Sequence, residues 1–176
     1  MDASREAVVE MNSDQGLVEI EAIFQAEYQR VARVIARVIQ DPSRAEELAV
    51  EVFLKWSRKA HGEAAQASLF RIAVRAGLDE LRRETRRARR QGLSRFVGYS
   101  PTPEDVRASR EDQERVRVVL AAIQPRHAEL LLLRNQDLSY DELACALDLN
   151  PASIGTFLSR AEQAFRKEYI KRYGQQ

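Results

Sequence analysis

The sequence predicts an all-α protein: two small helical domains joined by a flexible linker, the C-terminal one carrying a helix-turn-helix. Three observations lead there. Apolar residues recur every three or four positions through most of the chain, which is the period of a helix. Glycine, at 7, and proline, at 5, are scarce among 176 residues, so few loops are needed. The stretch from Leu138 to Phe165 carries start and stop signals for two helices around a tight turn.

The N-terminal residues 1–16 are polar with little periodicity and are expected to form a mobile tail. A first helix is predicted from about Leu17 to Gln40, because Ile20, Phe24, Tyr28, Val31, Ile35 and Val38 share one face. It ends at Gln40-Asp41-Pro42, since proline disfavours helix at the residue before it. Asp41 or Ser43 can cap a second helix, running to about Lys59 with Ala45, Leu48, Val52 and Trp56 inward. His61-Gly62 breaks it, and a loop to about Ala67 follows. A third helix is expected from about Ser68 to Arg90, with Leu69, Ile72, Ala73, Ala76, Leu78 and Leu81 on its apolar side. Residues 91–109 read as a linker broken by Gly92, Gly98, Pro101 and Pro103, although Phe96, Val97 and Tyr99 are apolar for a free one.

The second unit, 110–176, is led by a helix expected from Pro103 or Ser109 to Ile123, followed by a leucine-rich helix from Arg126 to Arg134. Ser139 and Glu142 then form a capping box, in which hydroxyl and carboxylate satisfy each other's backbone N–H. Leu143, Ala144 and Leu147 make the narrow inner face of the short helix. Asn150 is the next N-cap and Pro151 sits at the first helical position, where its missing N–H costs nothing. Ile154, Phe157, Leu158, Ala161 and Phe165 continue at helical spacing to about Tyr173. Two short helices around such a turn can be a plain hairpin or a DNA-reading unit.

Composition excludes several classes. A single cysteine forbids an internal disulfide framework. Without an apolar run of membrane-spanning length or a signal peptide, a cytoplasmic protein is expected. His61 and His127 stand alone, so no metal is expected. Catalytic sets and phosphate-cradling glycine loops are absent, so neither enzyme activity, a cofactor nor a small-molecule substrate is expected. Cys145 reads as a bland, partly buried thiol.

Net charge is only +1, but it is unevenly spread. Residues 1–60 hold 11 acids and 8 bases, whereas residues 61–100 hold 4 acids and 9 bases. Six arginines fall within Arg82 to Arg90, offset only by Glu84. Such a run is either a solvated helix end or a nucleic-acid contact. Its lack of acidic partners favours the second, because each arginine set on a phosphate releases counterions.

Three motifs in order then carry a family resemblance. They are Ala45-Glu46-Glu47-Leu48 with Glu51-Val52-Phe53-Leu54-Lys55-Trp56; Leu69-Phe70-Arg71-Ile72-Ala73 with Leu78-Asp79-Glu80-Leu81-Arg82-Arg83; and Leu138-Ser139-Tyr140-Asp141-Glu142-Leu143-Ala144 with Asn150-Pro151-Ala152-Ser153-Ile154 and Leu158-Ser159-Arg160-Ala161. Over about 17–90 and 110–168 the chain resembles bacterial RNA polymerase sigma factors of the extracytoplasmic-function (ECF, group 4) family. The resemblance implies a dissociable polymerase subunit. Its first unit would be like sigma region 2, binding core polymerase and the promoter −10 element. Its second would be like region 4, binding the −35 element. The linker would thread through the polymerase, and many relatives are sequestered by an anti-sigma factor.

Carried onto this chain, Glu46, Glu47, Glu51 and Lys55 are the expected polymerase contacts. Arg75, Asp79, Arg82, Arg83, Arg86 and Arg87 are expected at −10 DNA. Ser139, Tyr140, Asn150, Ser153, Thr156, Phe157 and Arg160 are expected at −35 DNA, with Arg160 the best placed to take a guanine bidentately. Bland readings stand beside these. The acidic face can be merely solvated, Asp79 can cap or pair with Arg82 or Arg83, and Phe157 can pack on Leu143 or Leu147. The chain departs from the family pattern at Ser68, Arg75, Gly155 and Phe157. Those departures leave open a sigma-derived two-domain DNA-binding regulator that no longer initiates transcription, or a protein mainly engaged with an inhibitory partner.

Overall fold

The computed structural model describes residues 3–58, 65–91 and 104–174, with side chains for 20–58, 65–91 and 110–174. Among them run seven α-helices and no strand. These are α1 (Ala3–Ile39), α2 (Pro42–Ser57), α3 (Ala65–Arg90), α4 (Glu104–Ala122), α5 (Pro125–Arg134), α6 (Tyr140–Leu147) and α7 (Ile154–Tyr173). A 3₁₀ turn at Pro151–Ser153 leads into α7.

Several boundaries move from their expected places. The backbone of α1 is helical from Ala3, well ahead of Leu17; the intervening Glu, Ala, Val and Met residues tolerate helix even without an apolar stripe. Asp41, not Ser43, caps α2: its Oδ1 accepts from the Arg44 N–H at 3.0 Å, and Pro42 takes the first helical position. Gln40 makes the reversal between α1 and α2 with φ 58°. Helix α3 starts at Ala65, ahead of Ser68, whereas α4 starts at Glu104, beside Pro103, the earlier of its two expected starts. His61, Gly62, Phe96, Val97 and Tyr99 lie outside the described residues.

Helices α1, α2 and α3 pack into one bundle, and α3 also packs against α4, α5 and α6. Trp56 and Phe70, both fully buried, anchor the first half; Leu130, Leu133, Leu143 and Ile154 anchor the second. The buried side chains of both halves form one contiguous apolar cluster. Helices α1 and α3 approach closely at Gly77, where a Cβ would stand 3.3 Å from Val38 Cβ. Ala144, 1 % exposed, similarly leaves room for a close crossing inside the helix-turn-helix.

One arginine ties the halves together. Arg117 of α4 is 6 % exposed, and its Nε and Nη2 donate to the carbonyls of Val38 and Ile39 at 2.7 and 3.0 Å. Those are among the last carbonyls of α1, which have no partner within the helix and sit at the negative end of its dipole. Glu114 and Glu84 accept from the same guanidinium at 2.7 and 3.4 Å. Burial pushes the Glu84 carboxyl above its ordinary value, and Arg117 opposes that shift.

Candidate nucleic-acid interface

The outer side of α2 presents two parallel rows. Glu47, Glu51 and Lys55 form one; Glu46, Val50 and Leu54 form the other, each spaced by four residues so that one helical side carries them. All six are exposed, Leu54 at 55 % and Val50 at 43 %. Arg44 stands at the head of the charged row, 2.7 Å from Glu47 and 3.6 Å from Glu51, and reaches Glu80 of α3 at 3.4 Å. The expected contact residues are thus together on one face. Arg44, Val50 and Leu54 belong to that face too; the uncovered apolar residues could have been found by their positions outside the inward stripe.

At the start of α3, Trp56 fixes the chain. Its indole Nε1 donates to Ala65 O at 3.1 Å and to Ser68 Oγ at 3.0 Å, while the Ser68 hydroxyl donates to Ala65 O. Ser68, a departure from the family pattern, therefore has a local job: it satisfies a fully buried tryptophan. A buried indole N–H without an acceptor is costly.

Along α3 the arginines divide. Arg75 does not stand free for a phosphate. Its Nε lies 2.7 Å from Glu129 Oε1 of α5, and Arg71 Nε lies 3.0 Å from the same oxygen. Glu129 is 3 % exposed. The run of residue types alone did not pair Arg75 with a carboxylate 54 positions away. Arg82 is half-buried, and its Nη2 has no hydrogen-bond acceptor among the described residues. Arg83 pairs with Glu80 at 3.1 Å, whereas Asp79 is exposed and forms no ion pair with Arg82 or Arg83 among the described residues. Beyond them Arg86, Arg87, Arg89 and Arg90 are exposed and form no ion pair among the described residues. Arg89 joins this cluster although the resemblance did not single it out.

In the C-terminal half the capping box forms as expected. Ser139 Oγ accepts from the Glu142 N–H at 3.2 Å, and Glu142 Oε2 accepts from the Ser139 N–H at 2.8 Å and its hydroxyl at 2.7 Å. Those bonds hold the Glu142 carboxyl below its ordinary value, the backbone bond most of all. Asp148 ends α6 in the left-handed region at φ 56°. Asn150 Oδ1 accepts from the Ala152 N–H at 3.0 Å. Both caps are exposed, with their side chains already engaged in shaping the turn.

At the N-terminal end of α7, Gly155, Thr156 and Arg160 are exposed and Ser153 partly so. Tyr140 is 47 % exposed beneath Arg134, whose guanidinium lies 5.9 Å from the ring centre. Phe157 departs from this group. It is half-buried and walls a cavity of about 80 Å³ with Arg71, His127, Glu129, Leu147 and Leu149. The packing alternative therefore describes Phe157, and its ring faces the junction between the halves. Cys145 is exposed, not partly buried, because it sits off the inner stripe of α6.

Residues 23–87 match the protein family Sigma-70 region 2. No curated protein matches the chain. A sigma-70 region 2 domain is thus present from within α1 to the arginine-rich part of α3, and it supports a sigma factor. Such a domain implies RNA polymerase core and promoter DNA as partners, and its family consists of non-enzymatic transcription initiation factors. Among the described residues no helix is long and apolar enough to cross a membrane.

Proposed function

We propose that the chain is an ECF-type sigma factor, which binds RNA polymerase core and directs promoter recognition, DNA opening and the start of transcription. The observation that carries this reading is the order of parts: a region 2 domain over residues 23–87, followed by a helix-turn-helix with an exposed reading end. Residues 17–90 would act as region 2 and residues 110–176 as region 4, with 91–109 between them.

In this reading the two rows on α2 meet the polymerase. Glu46, Glu47, Glu51 and Lys55 set register by charge, while Val50 and Leu54 supply apolar area. Arg83, Arg86 and Arg87 track the DNA backbone near the −10 element; Arg75 and Arg82 join them when their present surroundings release them. Ser153, Thr156 and Arg160 approach the −35 bases, and Ser139, Tyr140, Asn150 and the α7 N-terminus approach phosphates. Gly155 leaves open space around its backbone, which suits close approach.

The test mixes the purified chain with core polymerase and scores co-migration and promoter-dependent transcripts from a random promoter library. Failure to co-migrate with core overturns the reading. A second reading, a sigma-derived regulator that only binds DNA, draws on the internal engagement of Ser68 and Arg75. Duplex binding without affinity for core would select it. An anti-sigma partner is a further expected binder, to be sought by pull-down from cell extract.

A further inference from the structure

The cavity walled by Phe157 is lined by two kinds of chemistry. Leu147, Leu149 and Phe157 give it apolar surface, while Arg71, Arg126 and His127 give it cations and N–H donors. Glu129 is the one acid in its lining, and that carboxylate is already engaged: its Oε1 accepts from Arg71 Nε at 3.0 Å and from Arg75 Nε at 2.7 Å. Two guanidiniums on one carboxylate leave the surroundings cationic. Arg71 uses only Nε in that bond, and its Nη1 and Nη2 donate to no described residue. Arg126 is exposed and forms no ion pair among the described residues. His127 Nδ1 is buried and has no hydrogen-bond partner among them. A buried ring nitrogen in that state calls for a partner. Arg126 and His127 also stand in the first turn of α5, whose N-cap Gln124 makes no side-chain cap, so the positive end of that helix adds to the field.

We propose that this cavity binds a small organic anion, a carboxylate carrying a short apolar chain. The terminal nitrogens of Arg71 form the fork that a carboxylate fits with two parallel bonds. His127 Nδ1–H and the Arg126 guanidinium complete the polar end, and the chain lies against Leu147, Leu149 and Phe157. Glu129 touches no ligand in this arrangement; it is a positioning residue that holds Arg71 by Nε. Volume sets the size. A water needs roughly 10–15 Å³ of such space, so about 80 Å³ suits about six heavy atoms, as in butyrate. An inorganic anion leaves the apolar wall uncovered, and an alkylammonium meets like charge. The inference goes beyond the polymerase reading and does not depend on it.

The full chain is titrated with sodium butyrate, followed by ligand-observed saturation-transfer NMR and by thermal melts against equal sodium chloride. A dissociation constant of about 1 mM is expected, a strength open to so small a ligand. At about 10 mM butyrate the melting temperature then rises by roughly 3–5 °C, because the ligand binds only the folded chain. Butylammonium, with the same chain and the opposite charge, gives no rise, and inorganic phosphate binds at least threefold more weakly than butyrate. Arg126→Gln, at an exposed position that folding tolerates, weakens butyrate roughly fivefold. His127→Phe keeps the ring and removes Nδ1, with a similar loss; should it fail to fold, Arg126→Gln decides alone. Arg33→Gln, an equal change of charge at an exposed position of α1, leaves the affinity at the parent value. No rise beyond that in chloride, or an equal rise with butylammonium, overturns the site. Phosphate binding as tightly as butyrate overturns the organic class of the ligand, and parent affinity in folded Arg126→Gln overturns its placement. None of these outcomes bears on co-migration with core, which tests the polymerase reading by itself.

Discussion

Helix α3 carries the same side chain to two different fates. Arg71 and Arg75, in its first half, share one buried carboxylate from a distant helix. Arg86, Arg87, Arg89 and Arg90, at its end, are exposed and form no ion pair among the described residues. Residue type is therefore a poor guide to which cation is available. What counts is whether a second element brings a carboxylate to it, and for Arg71 and Arg75 that happens along the part of α3 that meets the C-terminal half, even though Arg75 itself stays exposed. A guanidinium without an acidic partner stays ready for a polyanion, whereas one set against a buried carboxylate is committed until that pair is replaced.

Breaking the junction side of this comparison has the largest expected effect. Arg117→Ala removes a buried cation that satisfies two α1 carbonyls and faces Glu84 and Glu114, so it is expected to cost about 3 kcal/mol, measured by urea unfolding. A change below about 1 kcal/mol would show that water replaces Arg117 easily.

The free end of α3 is expected to respond in the opposite way. Combining Arg86→Ala, Arg87→Ala and Arg90→Ala should leave stability within about 0.5 kcal/mol, as for surface positions without special contacts. DNA binding should weaken, and the slope of log affinity against log salt should shrink by roughly two to three, about one per lost phosphate contact. An unaltered slope would remove these arginines from the interface.

Two smaller changes sharpen the contrast from the helix-turn-helix. Ser139→Ala should cost about 1 kcal/mol, the usual worth of an N-cap. Its box is also sensitive to acid. The folded Glu142 carboxyl lies below its ordinary value of 4.5, so its contribution is present above that value and is lost as pH falls through the lowered one. Thermal melts across that range should show less acid destabilisation for Glu142→Gln than for the parent. Gly155→Ala should raise stability by about 0.5–1 kcal/mol, because the added methyl meets nothing and helix propensity improves. If it also weakens DNA binding, the open space at Gly155 is used for approach.

Much of the fold could be read locally. The caps at Asp41, Ser139 and Asn150 act on backbone groups two or three residues away, so sequence spacing contains the whole interaction. The apolar stripes of α1 to α3 were legible for the same reason, since helix geometry alone brings every third or fourth residue to one side. The shared face of Glu46, Glu47, Glu51 and Lys55 on α2 is legible in the same way, whereas the exposure of Val50 and Leu54 beside them depends on what packs, or does not pack, on that side.

The state of the α3 arginines was not legible. Sequence determined that cations would line that helix, because composition and period suffice for it. Only tertiary structure decided that Glu129 takes Arg71 and Arg75, that Arg117 caps α1, and that Phe157 turns into the junction. Each of these depends on partners brought together by packing between distant helices. The free energy of a buried charge is set by the groups that surround it in space, and a one-dimensional pattern does not contain them.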